Sequence, residues 1–289
     1  MAMVKIVTDS NSGITQAEAE RLGISVIPMP FVIDGEQYFE DIDLTQAQFY
    51  EHLEKDAAVS TSQPSAASVT EVWESLLKDG CDVVHIPMSS ALSESCHTAQ
   101  QLAKDYEGRV QVVDNRRISI TLKHSVYDAL SMAERGLGAK EIAKKLEDTA
   151  EDSSIYLTLE TLKYLKKGGR LTPAAALIGT ILRVKPVLQI QGGKLDAFKK
   201  VQTLKQAKQV MTDALKSDLA TRFADYVAAG QIRICLAHTA REEEIKAFEA
   251  ELAAAFPNIP VSFCDALSLS IACHVGPGVI ACSVTRPPT

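Results

Sequence analysis

The amino-acid sequence predicts an α/β fold of two domains, and three observations support that prediction. Short apolar strands alternate with helical segments through the first half of the 289-residue chain. Beyond Glu151–Ser154 the pattern changes to hairpins and mixed elements. The length suits one large domain or two ordinary ones. We therefore expect a domain of residues 1–152 with a parallel sheet and helices on both faces. An α+β domain of residues 153–289 with a mixed sheet should follow.

The first domain is predicted to begin with the strand VKIVTDS, residues 4–10. Thr15 and Glu18 have the spacing of a capping box at the start of the next helix. Two prolines then exclude a regular helix before a hairpin-type turn at Asp34-Gly35. The remaining predicted elements are helices over Thr45–Lys55 and Ala66–Lys78, a strand over Asp82–Ser90, a helix to about Lys104, the strand VQVVDN, and helices to about Glu151.

Polar residues end three of the predicted parallel strands. They are Thr8-Asp9-Ser10, Ser89-Ser90 and Asp114-Asn115. The carboxyl ends of parallel strands meet at one edge of the sheet, which is where such folds bind ligands. We therefore expect these three groups to lie together.

The second domain is predicted to begin with the strand SIYLTLE. The segment TLKYLKKGGRLT indicates a helix that ends at Gly168-Gly169, and the apolar run Ala174–Leu182 indicates another. Two alternating runs around Gly192-Gly193 predict a hairpin. The remaining predicted elements are a long helix, the strand IRICLAH, a further helix, the strand VSFCDA and the strand GVIACSV.

Composition excludes several classes of protein. Hydrophobic residues make up 46% of the chain and charged residues 23%, which is a normal globular balance. No apolar run reaches the roughly 20 residues that span a bilayer, and the N-terminus lacks a signal-peptide pattern. The six cysteines form no CxxC pair, so we expect reduced thiols in a cytoplasmic protein. The net charge of -7 argues against general nucleic-acid binding.

Positive charge is concentrated between Lys163 and Lys208. This basic segment contains eleven Lys or Arg residues and one acid, so its charge is +10 and that of the remainder is -17. One interpretation is a solvated face of helices and a hairpin. The other is a surface that meets an anionic group on a ligand or partner. The sequence leaves both open.

Hydroxyl side chains are concentrated in two stretches that precede predicted helices. Thr61 and Ser62 lie within Val59–Ser68, and Ser89–Ser93 follow a buried strand. A helix N-terminus leaves N–H groups unpaired, so such hydroxyls either cap the helix or help to bind an anion. Ser65, directly before its helix, is the expected cap. Neither stretch contains Lys or Arg, which suits a carboxylate better than a phosphate.

The segment CHVGPG, residues 273–278, places His274 beside a Gly-Pro-Gly turn. This histidine either pairs within a loop or donates a hydrogen bond to a bound anion. The sequence has no nucleophile elbow, P-loop or dinucleotide-binding glycine motif. The histidines and cysteines lack the spacing of metal ligands, so we predict no metal site and no cofactor.

Seven short motifs, in this order, resemble those of the DegV family of bacterial fatty-acid-binding proteins. The match runs through nearly the whole chain. The motifs are TDS (8–10), TSQPS (61–65), SSALS (89–93), VVD (112–114), LKYLKKGGRL (162–171), RVKPVLQIQGGKL (183–195) and HVGPG (274–278).

The resemblance implies a two-domain DegV-like fold with one long-chain fatty acid, such as palmitate, stearate or oleate, in an apolar tunnel between the domains. It implies that the hydroxyls of Thr61 and Ser93 hold the carboxylate. Ser62, His274 and Gly276 are the further ligand-binding residues that it predicts.

The resemblance also implies a partner. In some bacteria such proteins present the fatty acid to a separate fatty acid kinase, which makes acyl-phosphate for phospholipid synthesis. Arg170 matches a family position linked to that phosphotransfer. The expected protein is therefore a lipid-binding carrier and not itself an enzyme.

The sequence departs from the family pattern at two places. Glu94-Ser95-Cys96 stands where the family usually has Gly-Thr-Tyr after SSxLS. Thr121 and Lys123 stand where it has glycines after the VVD strand, and larger side chains there should narrow or reroute the tunnel. Lys123 is alternatively a source of positive charge near the site.

Two alternative functions remain open from the sequence. One is a phosphotransferase or acyl hydrolase with Ser93 or Thr61 as nucleophile and His274 as base. No acid is identifiable by spacing to orient that histidine. The other is a partner-binding protein without a ligand, with the basic segment as its interface.

Overall fold

The computed structural model of the protein describes residues 3–178 and 184–288. These residues form two compact units. The first unit contains the chain up to Glu151, Ser268–Ser270 and the C-terminal end. The second contains Asp152–Leu267 and Ile271–Pro287. Three residues late in the sequence thus belong to the unit that the N-terminal half builds.

The first unit follows the predicted alternation of strands and helices. Its strands are β1 (Val4–Asp9), β2 (Ser25–Ile27), β3 (Pro30–Ile33), β4 (Glu36–Phe39), β5 (Val59–Thr61), β6 (Asp82–Ile86) and β7 (Val110–Val112). Its α-helices are α1 (Gln16–Leu22), α2 (Gln46–Glu54), α3 (Ala66–Lys78), α4 (Ser95–Ala103), α5 (Ser119–Glu134) and α6 (Ala139–Asp148).

A parallel sheet of order β2-β1-β6-β7 forms the centre of the first unit. Val7 and Val83 pack with Trp73 of α3 and Ala99 of α4 on one face. Successive side chains of a strand point to opposite faces, so the residues next to Val7 and Val83 lie on the other face of the sheet. Helices α5 and α6 also contact these strands. The predicted parallel sheet with helices on both faces is confirmed.

A smaller antiparallel sheet of order β4-β3-β5 carries the hydroxyl-rich stretch. The predicted hairpin joins β3 and β4, and both Asp34 and Gly35 have the positive φ that its turn requires. Strand β5 was not predicted. Its three residues pair with β3, so that Phe31 lies opposite Thr61, and a short polar run gives no local signal of such pairing.

The second unit contains both strands and helices, as predicted. Its strands are β8 (Ser153–Thr158), β9 (Lys185–Ile190), β10 (Asp196–Val201), β11 (Arg233–His238), β12 (Val261–Ala266) and β13 (Ile280–Thr285). The helices are α7 (Lys163–Gly168), α8 (Pro173–Ile178), α9 (Leu204–Ala220), α10 (Ala224–Ala228), α11 (Glu242–Ala255) and α12 (Leu269–Val275), of which α12 has its first two residues in the first unit. The rest of the helix predicted over Ala174–Leu182 lies outside the described residues.

The sheet of the second unit is mixed, with the order β10-β9-β8-β13-β11-β12. Of the described strands of this sheet, only β11 and β12 pair in parallel. Helices α9 and α11 cover it with an apolar core that includes Met211, Leu215, Phe248, Ile234 and Cys282. The predicted mixed-sheet α+β character is confirmed.

Two local predictions need correction. Thr15 accepts the backbone N–H of Glu18 at 3.1 Å, but the Glu18 carboxylate does not complete a capping box. Instead it forms an ion pair with the buried Lys123 at 3.1 Å and accepts the hydroxyl of Tyr127 at 2.8 Å. His274 lies not in a loop but near the end of α12, an element that the sequence prediction missed.

Candidate functional site

The polar ends of the parallel strands meet at one edge of the sheet, as predicted. Asp9 accepts the backbone N–H of Met88 through Oδ2 at 2.8 Å and that of Asn11 through Oδ1 at 2.9 Å. The Ser90 hydroxyl donates to Asp114. Burial raises the pKa of Asp9 to about 6, against the opposing effect of these hydrogen bonds. These hydrogen bonds therefore fix the polar side chains at this edge of the sheet.

Asn11 extends this hydrogen-bond network. Its Oδ1 accepts the hydroxyls of Ser268 and Ser270, and its Nδ2 contacts the Met88 sulfur at 2.8 Å. The neighbouring Leu269 N–H donates to Glu40 at 2.8 Å. Three residues from late in the sequence thus complete hydrogen bonds of the first unit.

Strand β5 positions the first pair of predicted ligand-binding hydroxyls. Pairing with β3 fixes the backbone of Thr61, and the Ser62 N–H donates to the Pro30 carbonyl at 3.2 Å. Thr61 is half-buried and Ser62 is exposed. Ser65 accepts the Ser68 N–H at 3.1 Å as the N-cap of α3, which confirms that part of the prediction. The capping role is thus separate from Thr61 and Ser62.

Ser93 lies in a tight turn before α4. Its backbone N–H donates to the Ser89 carbonyl at 3.1 Å, and its hydroxyl accepts the Ser95 N–H at 3.2 Å. The same hydroxyl donates to the Ser95 hydroxyl at 3.0 Å. Glu94 is exposed at the N-cap and makes no side-chain capping bond. Ser93 is therefore held by short-range bonds and is half-buried.

One hydrogen bond joins the first hydroxyl segment to the helix that follows the second. The Thr98 hydroxyl of α4 donates to Gln63 Oε1 at 3.1 Å. Gln63 follows Thr61 by two residues, and Thr98 follows Ser93 by five. Pro64, which follows Gln63, is buried. The structure therefore places TSQPS beside α4, the helix that directly follows SSALS, in the first unit. Gln63 and Thr98 were missed from the sequence, where a polar side chain in a turn gives no sign of its partner.

The glycine turn of the second unit is packed against α7. Gly276 has a φ of +73°, and a Cβ there would lie 2.4 Å from a ring carbon of Tyr164. Its N–H donates to Ala272 at 2.8 Å, and its carbonyl accepts the Thr239 hydroxyl at 2.7 Å. Thr239 also accepts the Val279 N–H through its hydroxyl. Both backbone polar groups of Gly276 are therefore engaged within the unit.

His274 and Arg170 interact electrostatically in the same unit. Burial, and then the positive charge of Arg170, lower the pKa of His274 to about 4. The imidazole is therefore neutral at pH 7, with one N–H donor and one acceptor nitrogen. The structure thus places Thr61, Ser62 and Ser93 in the first unit and His274, Gly276 and Arg170 in the second.

The departures from the family pattern are accommodated at the start of α5. Thr121 is buried and its hydroxyl donates to the Ile118 carbonyl at 2.8 Å. The Lys123 charge is matched by Glu18, as described above. The alternative in which Lys123 supplies positive charge to an anion site is therefore disfavoured.

Residues 3–178 and 184–288 contain no group of three or more His, Cys, Asp and Glu side chains arranged to bind a metal ion. No helix within these ranges is both long and apolar enough to cross a bilayer. All six cysteines are free thiols, and five of them are buried.

The DegV family model, described as "Uncharacterised protein, DegV family", matches residues 3–286. The chain belongs to the DegV family. The DegV domain-containing protein SA1258 of Staphylococcus aureus is 32% identical over 221 residues, or 76% of this chain and 78% of that protein. The resemblance seen in the motifs is thereby confirmed.

Two solved DegV structures share the fold over nearly the full chain. A DegV family protein from Thermus thermophilus, described by its fatty acid binding, is 28% identical with a TM-score of 0.87 and covers 98% of this chain and 99% of its own. DegV from Bacillus subtilis, described as a fatty acid binding protein, is 27% identical with a TM-score of 0.86 and covers 99% and 100%.

Proposed function

We propose that this protein binds a long-chain fatty acid, with the hydroxyls of Thr61 and Ser93 donating to its carboxylate. The observation that supports this most strongly is the full-length likeness to DegV proteins that are described as fatty acid binding. The hydrogen bond between Gln63 and Thr98, which joins the first hydroxyl segment to the helix that follows the second, supports the choice of residues.

The chemistry of these segments suits a fatty acid. Burying an acyl chain contributes about 0.8 kcal/mol per CH₂, so palmitate, stearate or oleate offers on the order of 10 kcal/mol. The carboxylate is costly to bury unless it accepts hydrogen bonds. Neutral hydroxyls near the starts of α3 and α4 supply donors without adding a cation.

A carrier fits this chain better than an enzyme. The Ser93 hydroxyl donates to the Ser95 hydroxyl and not to a base, and it would turn its single O–H from Ser95 to the carboxylate when the ligand binds. We propose that the protein presents the fatty acid to a separate fatty acid kinase in the cytoplasm, with Arg170 near the transfer step. His274, Gly276 and Ser62 remain predictions from the resemblance, and mutation of His274 tests the first of them.

Mass spectrometry under denaturing conditions tests the carrier proposal. The purified protein should release a fatty acid, and oleate or palmitate should raise the melting temperature of stripped protein. A protein that carries no fatty acid and gains no stability with either ligand contradicts the proposal. Turnover of acyl esters or ATP that is lost in His274→Ala would favour the enzyme alternative.

A double variant tests the head-group residues. Thr61→Ala with Ser93→Ala removes two hydrogen bonds to a charged group, so we expect binding about 100-fold weaker. Ser60→Ala is the matched control, because Ser60 lies on the same strand with its side chain on the opposite face of the sheet. If the unchanged protein, the double variant and Ser60→Ala bind the fatty acid with equal affinity, other residues hold its carboxylate.

A further inference from the structure

A small cavity lies beneath the turn that follows Thr61 in the first unit. Its volume is about 10 Å³, which is close to the least that a single water molecule needs. Its polar lining comes from Asp9, Gln63, His85, Ser95 and Thr98. These side chains belong to β1, β6, the Gln63-Pro64 turn and the first turn of α4.

His85 is the unusual member of this lining. It lies on the central strand β6, is 3% exposed, and packs edge-on against Trp73 at 5.6 Å between ring centroids. Neither ring nitrogen has a hydrogen-bond partner among the residues that the structure describes. Burial lowers its pKa to about 3, so the ring is neutral with one N–H donor and one acceptor nitrogen.

Buried polar atoms in proteins are nearly always paired, either with protein or with ordered water. A cavity that admits one water and offers two to four polar partners is the usual setting of such a molecule. Within the described part of the chain, His85 has two unpaired ring nitrogens, and the side chains of Asp9, Gln63, Ser95 and Thr98 also line the cavity.

We propose that this cavity binds one ordered water molecule, hydrogen-bonded to His85 and to a second polar group of the lining. His85 is thereby a positioning residue for the two hydroxyl segments. Gln63 follows Thr61 by two residues, and Ser95 holds the Ser93 hydroxyl at 3.0 Å. The positioning role rests on the proposed fatty-acid binding, whereas the water site does not.

A high-resolution crystal structure tests the water site directly. We expect a density peak within hydrogen-bond distance of one His85 nitrogen and of one further polar atom of the lining. A well-ordered cavity without that peak overturns the proposal. The test needs no variant, so it holds even if a substitution at His85 does not fold.

Variants at His85 test the positioning role. His85→Phe keeps a ring but removes both polar atoms, so we expect oleate to bind about tenfold more weakly with the melting temperature kept. His85→Gln retains a donor and an acceptor and should bind within about threefold of the unchanged protein. Both affinities are measured by titration calorimetry.

A core variant separates positioning from stability. Val83→Ala lies on the same face of β6, should lower the melting temperature, and should leave oleate affinity unchanged. Equal affinities for His85→Phe and His85→Gln would overturn the positioning role. If the unchanged protein binds no oleate, the proposed function fails while the crystal structure still decides the water site.

Discussion

The Ser65 and Ser93 side chains of the first unit and the glycine turn of the second are held in opposite ways. Each of the two serine hydroxyls bonds to a residue two or three positions away. Gly276 is held by Thr239 and by the ring of Tyr164, both far away in sequence. A side chain held by short-range bonds can be replaced at a small cost in the free energy of unfolding. A glycine whose space is filled by distant residues cannot gain a side chain without a larger cost.

This difference separates binding from stability in the expected effects of mutation. Substitution of Thr61 or Ser93 should change affinity more than folding. Substitution in the glycine turn should change folding first, because the space for any side chain is already filled. The four predictions below test that contrast in the free energy of unfolding.

The largest expected effect is at the glycine turn. Gly276→Ala places a Cβ against Tyr164 in a left-handed backbone conformation, so we expect a loss of about 3 kcal/mol in the free energy of unfolding. Urea denaturation measures it. Gly136→Ala is the matched control, because φ is also positive there but nothing lies within 4 Å; it should cost about 1 kcal/mol. Equal losses would show that packing against Tyr164 is unimportant.

The next largest effect is expected at the ion pair of the first unit. Glu18→Ala removes the carboxylate from Lys123, whose side chain is 6% exposed, and should cost about 2 kcal/mol. Asp148→Ala breaks the exposed pair with Lys144 and should cost only about 0.3 kcal/mol. Adding Lys123→Met to Glu18→Ala should restore part of the loss. If the double variant is no more stable than the single one, the buried charge is not the cause.

A smaller effect depends on pH. The folded-state pKa of His274, about 4, lies below the ordinary value of 6.5, so folding favours the neutral ring. That contribution is present above pH 6.5 and lost as pH falls toward 4. We expect the loss to be about 1.5 kcal/mol, discounted from the full shift for partial exposure. Denaturation at several pH values should show a shallower slope in His274→Gln, whereas exposed His97→Gln should match the unchanged protein.

The smallest effect is expected at a helix cap. Ser65→Ala removes the acceptor for the Ser68 N–H and should cost about 1 kcal/mol. Ser60→Ala, exposed on the neighbouring strand, should cost nearly nothing. A loss with Ser65→Ala as large as that with Gly276→Ala would contradict the contrast between the two regions.

The sequence predicts the parts of the molecule that depend on local patterns. The alternation of strands and helices, the Asp34-Gly35 hairpin and the Ser65 cap follow from periodicity and turn chemistry. The meeting of Asp9, Ser90 and Asp114 follows from parallel topology alone. These features need no knowledge of which side chains touch across the fold.

Long-range pairing limited the prediction elsewhere. Strand β5 forms because it pairs with β3. The Glu18 carboxylate pairs with Lys123, which lies 105 residues away, instead of completing a local capping box. Tyr164 and Gln63 also gain their roles only from partners distant in sequence. Local chemistry offers several partners to such side chains, and tertiary packing selects one of them.

The bonds between Asn11 and two late serines have a consequence for synthesis on the ribosome. Asn11 emerges early, but Ser268 follows it by 257 residues and Ser270 by 259. Almost the entire chain must therefore be synthesised before the buried Oδ1 of Asn11 can form hydrogen bonds with these serines. A fragment that ends at Glu151 would lack both serine partners of that amide oxygen, and so the boundary between compact units is a poor place to cut this protein.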